Sequence, residues 1–180
     1  MKKLMQFCVM TTGLFIGLQA GHISAQQYSE LDTSYQSVGN KVCATCHGAY
    51  GQGNPVVGAP SLAGLETWYL RSQLEKFRAG WRGAEKDYIP AYEMRAAVAE
   101  ISNAELEELV SEVSGWPEPE PEPYTEGDAA SGQQLYAVCS TCHGTAGEGS
   151  EVLNAPALAD RDGWYLYRQL NLYKSGYRGG

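Results

Sequence analysis

The chain has 180 residues, with 13 Lys and Arg against 21 Asp and Glu and a formal net charge of −8 at pH 7. Such acidity argues against nucleic acid as a partner, because a phosphate backbone calls for clustered basic side chains. Five cysteines and three histidines are few enough for each to be placed individually.

Residues 1–25 begin with Lys2 and Lys3, continue in an apolar run from Leu4 to Leu18 broken by Thr11, Thr12 and glycines, and close on Ser24-Ala25. A run this short, with no stop-transfer charges after it, has the form of a secretory signal peptide cleaved near Ala25. Export to a bacterial periplasm is therefore expected, with no stable membrane insertion after cleavage. Cys8 and His22 fall within this discarded segment. Removing Lys2 and Lys3 from the 13 basic residues leaves 11 against 21 acidic ones, a balance of −10.

The remaining cysteines form two motifs, Cys43-Ala44-Thr45-Cys46-His47 and Cys139-Ser140-Thr141-Cys142-His143. Two thiols three positions apart lie on one helical turn and can each form a thioether with a haem vinyl group, while the adjoining imidazole serves as proximal iron ligand. The motif therefore predicts two covalently attached haem c groups, with His47 and His143 on the irons. Redox dithiols, or zinc held by four cysteines from both motifs, are the alternatives. Neither accounts for the histidine that follows each pair.

A shift of 96 residues places Cys43 on Cys139, Ala59-Pro60 on Ala155-Pro156 and Trp68-Tyr69-Leu70 on Trp164-Tyr165-Leu166; across 43–84 and 139–180, 20 of 42 residues are identical without a gap. An internal duplication follows. The expected organisation is a signal peptide over 1–25, a first haem domain over 26–115, an acidic Pro/Glu linker over 116–126 and a second domain over 127–180. Alternating prolines in the linker favour extended polyproline geometry and a semi-rigid spacer.

Both domains read as all-α. A short helix from about Tyr35 should present the first motif, followed by irregular turns at glycines 48, 51, 53 and 58. Leu70, Leu74 and Phe77 predict an amphipathic helix over 67–79. Ser102-Asn103-Ala104-Glu105 has the form of a capping box opening a further helix that stops at Gly115. Met94, outside the long helices, is the one methionine of the mature first domain. Its thioether would complement His47 on the iron and raise the reduction potential, the alternative being ordinary core packing.

CATCHG, AP-SLAG, WYLRSQLEKFRAGWRG and Met94, with CSTCHG, AP-ALAD and WYLYRQLNLYKSGYRGG in the second copy, resemble the class I cytochromes c, particularly two-domain dihaem cytochromes of the bacterial periplasm. The resemblance implies that Cys43, Cys46, Cys139 and Cys142 attach haem and that His47 and His143 are proximal. It further implies that Pro60 and Pro156 position a carbonyl against the proximal ring. The implied function is electron shuttling between membrane respiratory complexes and periplasmic or terminal redox enzymes, without substrate turnover. Acidity suits steering to a basic patch on such a partner. The alternative is a haem peroxidase, or the cytochrome subunit of a dehydrogenase, with an open second iron.

The second copy departs from the pattern, since the counterpart of Met94 would fall at position 190 and the counterpart of the Ser102 helix is missing. Three readings stand open: a fragment of a longer protein, a second iron left five-coordinate or water-bound, or a distal ligand from a partner, Lys174 or Tyr177. For the 180-residue product the expectation is a ferrous high-spin component that binds carbon monoxide. A fully low-spin dihaem spectrum unchanged by carbon monoxide would overturn it.

Overall fold

The computed structural model describes residues 38–121, 124 and 126–178. The signal segment expected over 1–25, its cleavage near Ala25 and the helix start near Tyr35 lie outside the described residues. Among those described, the regular structure is helical, with no sheet: α1 Val38–His47, α2 Thr67–Arg78, α3 Ile89–Val98, α4 Asn103–Ser114, α5 Ala129–His143 and α6 Gly163–Ser175, plus a 3-10 turn at Glu151–Leu153. No described helix is long and apolar enough to cross a membrane.

The first copy is organised by α2 and α4. The apolar stripe of α2 buries Leu70 and Phe77, and that of α4 buries Leu106, Leu109, Val110 and Val113. Leu70, Leu106, Val110, Val113, Ala63 and Trp116 form one buried cluster. Each large aliphatic side chain so buried contributes roughly 1.5–3 kcal/mol. Trp116, where the linker expectation begins, thus belongs to this core. Glu118, two residues later, pairs with Arg161 of the second copy.

The expected capping box is present, with Ser102 Oγ accepting from the Glu105 amide and the Glu105 carboxylate accepting from the Ser102 amide. One element departs from the sequence reading. Met94, expected outside the long helices, lies within a ten-residue helix, α3, that the sequence reading did not assign. Pro90 stands in the first turn of α3, where a missing N–H costs no intrahelical bond.

The copies meet directly through contacts that obey the 96-residue repeat. Ser61 N–H donates to Asp162 Oδ2 at 3.0 Å, and Ala157 N–H donates to Glu66 Oε1 at 2.8 Å. Residue i of one copy meets residue j of the other and the reverse, the signature of an isologous interface. Arg161 breaks the symmetry, donating to the carbonyls of Ala63 and Gly64 at 3.0 and 3.1 Å.

Coverage of the two copies differs. Phe77 is 7% exposed while its counterpart Tyr173 is 53% exposed.

Ser102→Ala removes a side-chain acceptor from the α4 N-terminus and should lower the unfolding free energy by about 1 kcal/mol, whereas Ser102→Gly should cost only a few tenths. Denaturant titration of the holoprotein checks both.

Candidate functional site

In α1, Cys43 and Cys46 stand one turn apart and His47 closes the helix. The helix stops because Gly48 takes a φ of +83°, a backbone region costly for residues with a Cβ. The chain then returns on itself: Gly53 N–H donates to His47 O at 2.8 Å, and Asn54 and Ala59 pair in an isolated bridge. This return brings the Pro60 carbonyl to 2.8 Å from His47 Nδ1. The second copy reproduces each step, with Gly149 N–H donating to His143 O, Ser150 bridged to Ala155, and Pro156 O at 2.8 Å from His143 Nδ1.

A carbonyl only accepts, so Nδ1 carries a proton in each ring, and it is the neutral form of such an imidazole that presents Nε2 as a ligand. Burial pushes the His47 imidazole below its ordinary pKa and outweighs the Pro60 hydrogen bond, which acts in the opposite direction. A neutral imidazole with a directed Nε2 is a competent metal ligand. Burial also raises the Cys43 thiol, chiefly through desolvation. A redox dithiol needs the reverse, a thiol pKa brought down. Among the described residues no three His, Cys, Asp or Glu side chains gather as a metal site, so the four cysteines do not meet as the zinc alternative requires.

A cavity of about 1180 Å³ runs through both copies. Its lining takes in Cys43, Cys46, His47, Pro60 and Met94 from the first copy, and Cys139, His143 and Pro156 from the second. Cys142 is exposed and lies outside that lining. Lys174 and Tyr177, weighed as distal ligands for the second iron, line a separate surface recess beside Asp87 and Tyr88. The volume exceeds the roughly 300–1,000 Å³ of an ordinary small-molecule pocket, leaving room for more than one group.

Sequence reasoning missed a polar set on the cavity wall. Arg82 donates to Gln73 Oε1 at 2.7 Å, and across the boundary to Tyr165 Oη at 3.3 Å and Gln169 Oε1 at 3.4 Å. Arg178, its counterpart, donates to Gln169 Oε1 at 2.6 Å, Tyr69 Oη at 3.0 Å and Gln73 Oε1 at 3.3 Å. Both arginines are 8% exposed, and among the described residues neither forms an ion pair. Two buried cations answered only by neutral acceptors make the cavity receptive to an anionic group. Tyr69, Gln73 and Arg82 recur unchanged at 165, 169 and 178, and this was the available signal. Thiols, directed imidazoles, apolar walls and uncompensated guanidiniums together fit haem, an apolar macrocycle bearing carboxylates.

The cytochrome c family matches residues 34–111 and 129–180. The thiosulfate dehydrogenase electron acceptor of Stutzerimonas stutzeri is 32% identical over 147 residues, covering 76% of this chain and 64% of that protein. The chain thus spans just under two thirds of that relative's length. Among solved structures, the thiosulfate dehydrogenase of Marichromatium purpuratum aligns with a TM-score of 0.64 at 32% identity, over 77% of this chain and 30% of that one. Cytochrome c4 of Acidithiobacillus ferrooxidans has a TM-score of 0.65 at 23% identity, over 78% of this chain and 85% of that one, a likeness of fold. These similarities relate the chain to cytochromes with tandem c-type haem domains.

A Cβ on Gly53, where φ is +87°, would lie 2.6 Å from Ser61 N and 2.9 Å from Pro60 C. Gly53→Ala should therefore cost about 1–3 kcal/mol and disturb the loop that fixes His47. Gly132, within α5, has open space around it. Gly132→Ala should stabilise by up to about 1 kcal/mol. Denaturation of the two holoprotein variants should show shifts of opposite sign.

Proposed function

The chain belongs to the cytochrome c family, and from that premise we propose that it is a periplasmic electron carrier bearing two haem c groups. It exchanges single electrons with membrane respiratory complexes and with periplasmic or terminal redox enzymes. Haem c, when bound, supplies an iron that cycles between the ferric and ferrous states. The observation that carries this reading is the duplicated geometry of a CxxCH helix end whose histidine Nδ1 lies 2.8 Å from a proline carbonyl.

In this reading Cys43 and Cys46 hold one haem and Cys139 and Cys142 the other, through thioethers. His47 and His143 are the proximal ligands, and the Pro60 and Pro156 carbonyls fix ring rotation and tautomer. Met94, on the cavity wall opposite no competing methionine of its domain, is the distal ligand of the first iron. Arg82 and Arg178 receive the haem carboxylates in the buried wall. A site assembled from preset ligands rearranges little when an electron arrives, which suits a carrier.

A second reading, the cytochrome subunit of a dehydrogenase, is favoured by the 32% identity to the electron acceptor of a thiosulfate dehydrogenase. It shares all of the residue roles above and differs in the partner. Reversible reduction of the purified protein, with no thiosulfate oxidation of its own, supports either reading. A stable complex with a separate catalytic subunit selects the second. Substrate turnover by the purified chain alone overturns both.

Met94→Ala should leave the haem count at two and convert one haem from low-spin to high-spin. The same change should lower the midpoint of that haem, since thioether ligation raises it. Haem quantitation, optical spectra and redox titration check these outcomes, and an unchanged low-spin spectrum would return Met94 to core packing.

A further inference from the structure

The Pro60 carbonyl and the Ser61 N–H are the two ends of one peptide group. The oxygen of this group faces His47 Nδ1 at 2.8 Å, while its N–H donates to Asp162 Oδ2, from the other copy, at 3.0 Å. In the second copy the Pro156–Ala157 peptide does the same, with His143 Nδ1 at 2.8 Å on its oxygen and Glu66 Oε1 at 2.8 Å on its N–H. Each histidine is thus joined to a carboxylate of the opposite domain through a single amide.

Amide resonance makes the two ends of that group interdependent. A negative acceptor at the N–H draws electron density onto the carbonyl oxygen, which then accepts more strongly from the imidazole Nδ1–H. A stronger bond at Nδ1 makes Nε2 the better donor to a metal.

The placement of the two carboxylates is unusual for their local position. Glu66 and Asp162 are the N-cap residues of α2 and α6, yet neither side chain makes a capping hydrogen bond. An acidic N-cap ordinarily accepts from an amide of its own first turn. Here the glutamate and the aspartate, which differ by one methylene, reach equivalent amides across the boundary. Asp162 is 8% exposed, and Glu66 Oε2 is buried without a hydrogen-bond donor among the described residues. Both carboxylates therefore act on the peptide with little screening by water.

We propose that Asp162 and Glu66 are positioning residues that act across the domain boundary, each strengthening the proximal histidine of the other domain through one peptide group and so lowering the reduction potential there. The proposal rests on the reading of His47 and His143 as proximal ligands. Its consequence is crossed control: Asp162 governs the first haem and Glu66 the second. A mere latch between domains would hold the copies together without touching imidazole electronics. A through-space charge would act on both haems and would shift their midpoints without singling out the Nδ1–H resonance of one histidine.

The test uses the holoprotein with ring-labelled histidine, and the variants Asp162→Asn and Glu66→Gln, which remove charge but keep shape. Redox titration followed by NMR reads each midpoint, and the Nδ1–H resonances of His47 and His143 are read in the reduced state. Asp162→Asn should raise the midpoint of the first domain more than that of the second and move the His47 Nδ1–H signal upfield, at low and high salt alike. Glu66→Gln should give the mirror result at His143, and Asp162→Glu should restore the original values. Midpoints that move together, a larger shift in the substituted domain, or an unmoved imidazole signal would overturn the proposal, including where the domains separate and Ser61 loses amide protection. Failure of the unsubstituted protein to cycle reversibly would strike the electron-carrier reading instead, and the imidazole signals would still report the relay.

Discussion

Two peptide groups, Pro60–Ser61 and Pro156–Ala157, carry the constraint on which the rest of the molecule depends. A histidine that serves as a ligand must be neutral, must expose the unprotonated nitrogen and must not rotate. One carbonyl at Nδ1 meets the last two conditions, because it accepts a hydrogen bond only from a protonated nitrogen and because it fixes the ring plane, while burial supplies the first at His47. Proline contributes no N–H to compete at that point. Each proline stands thirteen positions after its histidine, and the chain covers that distance through a loop closed by Gly53 N–H on His47 O, or by Gly149 N–H on His143 O. A positive φ is required at those glycines, so the loop's sequence is dictated by the imidazole it serves.

The far side of the same peptide groups builds the domain boundary. Duplication allows the bond made by one copy to be answered by its counterpart, so that a small number of residue types generates twice the number of contacts. Buried arginines are ordinarily a liability, since desolvation outweighs what neutral acceptors return. Arg82 and Arg178 share Gln73 and Gln169 and lie against Phe77 and Tyr173 respectively, at 4.2 and 4.6 Å from the ring centroids. That arrangement orients the guanidiniums without neutralising them, and their charge remains available to an anion in the cavity. Because each guanidinium bonds to residues of the opposite copy, the cationic wall of the cavity and the domain boundary are built from the same side chains.

Much of this was legible from residues alone where local rules govern. The capping box at Ser102, the stripe of Leu70, Leu74 and Phe77, and the all-helical class depend on spacing and propensity, which are written in neighbouring positions. Helix α3 escaped because Pro90 reads as a breaker unless its place in the first turn is known. Pairing of Arg82 with Tyr165 and Gln169, and of Asp162 with Ser61, joins residues 83 to 101 positions apart. No local pattern encodes such a pairing. The repeat did hold a trace of it, since Tyr69, Gln73 and Arg82 recur in the second copy while the solvent-facing residues between them change. Asp162 illustrates the limit most clearly: an aspartate before a helix reads as a cap, and only the fold shows that it faces the other domain instead.

The two copies, alike in the loops that carry His47 and His143, differ in how their described helices are covered. In the first, α4 lays Leu106, Leu109, Val110 and Val113 over α2, and Trp116 completes the enclosure. In the described part of the second, Leu170 and Tyr173 of α6 are 66% and 53% exposed, and Leu135 and Val138 of α5 are 75% and 79% exposed. The loop around His143 is held by its own hydrogen bonds, by Glu66 at the Ala157 amide, and by Arg161 and Arg178 anchored on the first copy. The contacts that join the copies thus also help to shape the second site.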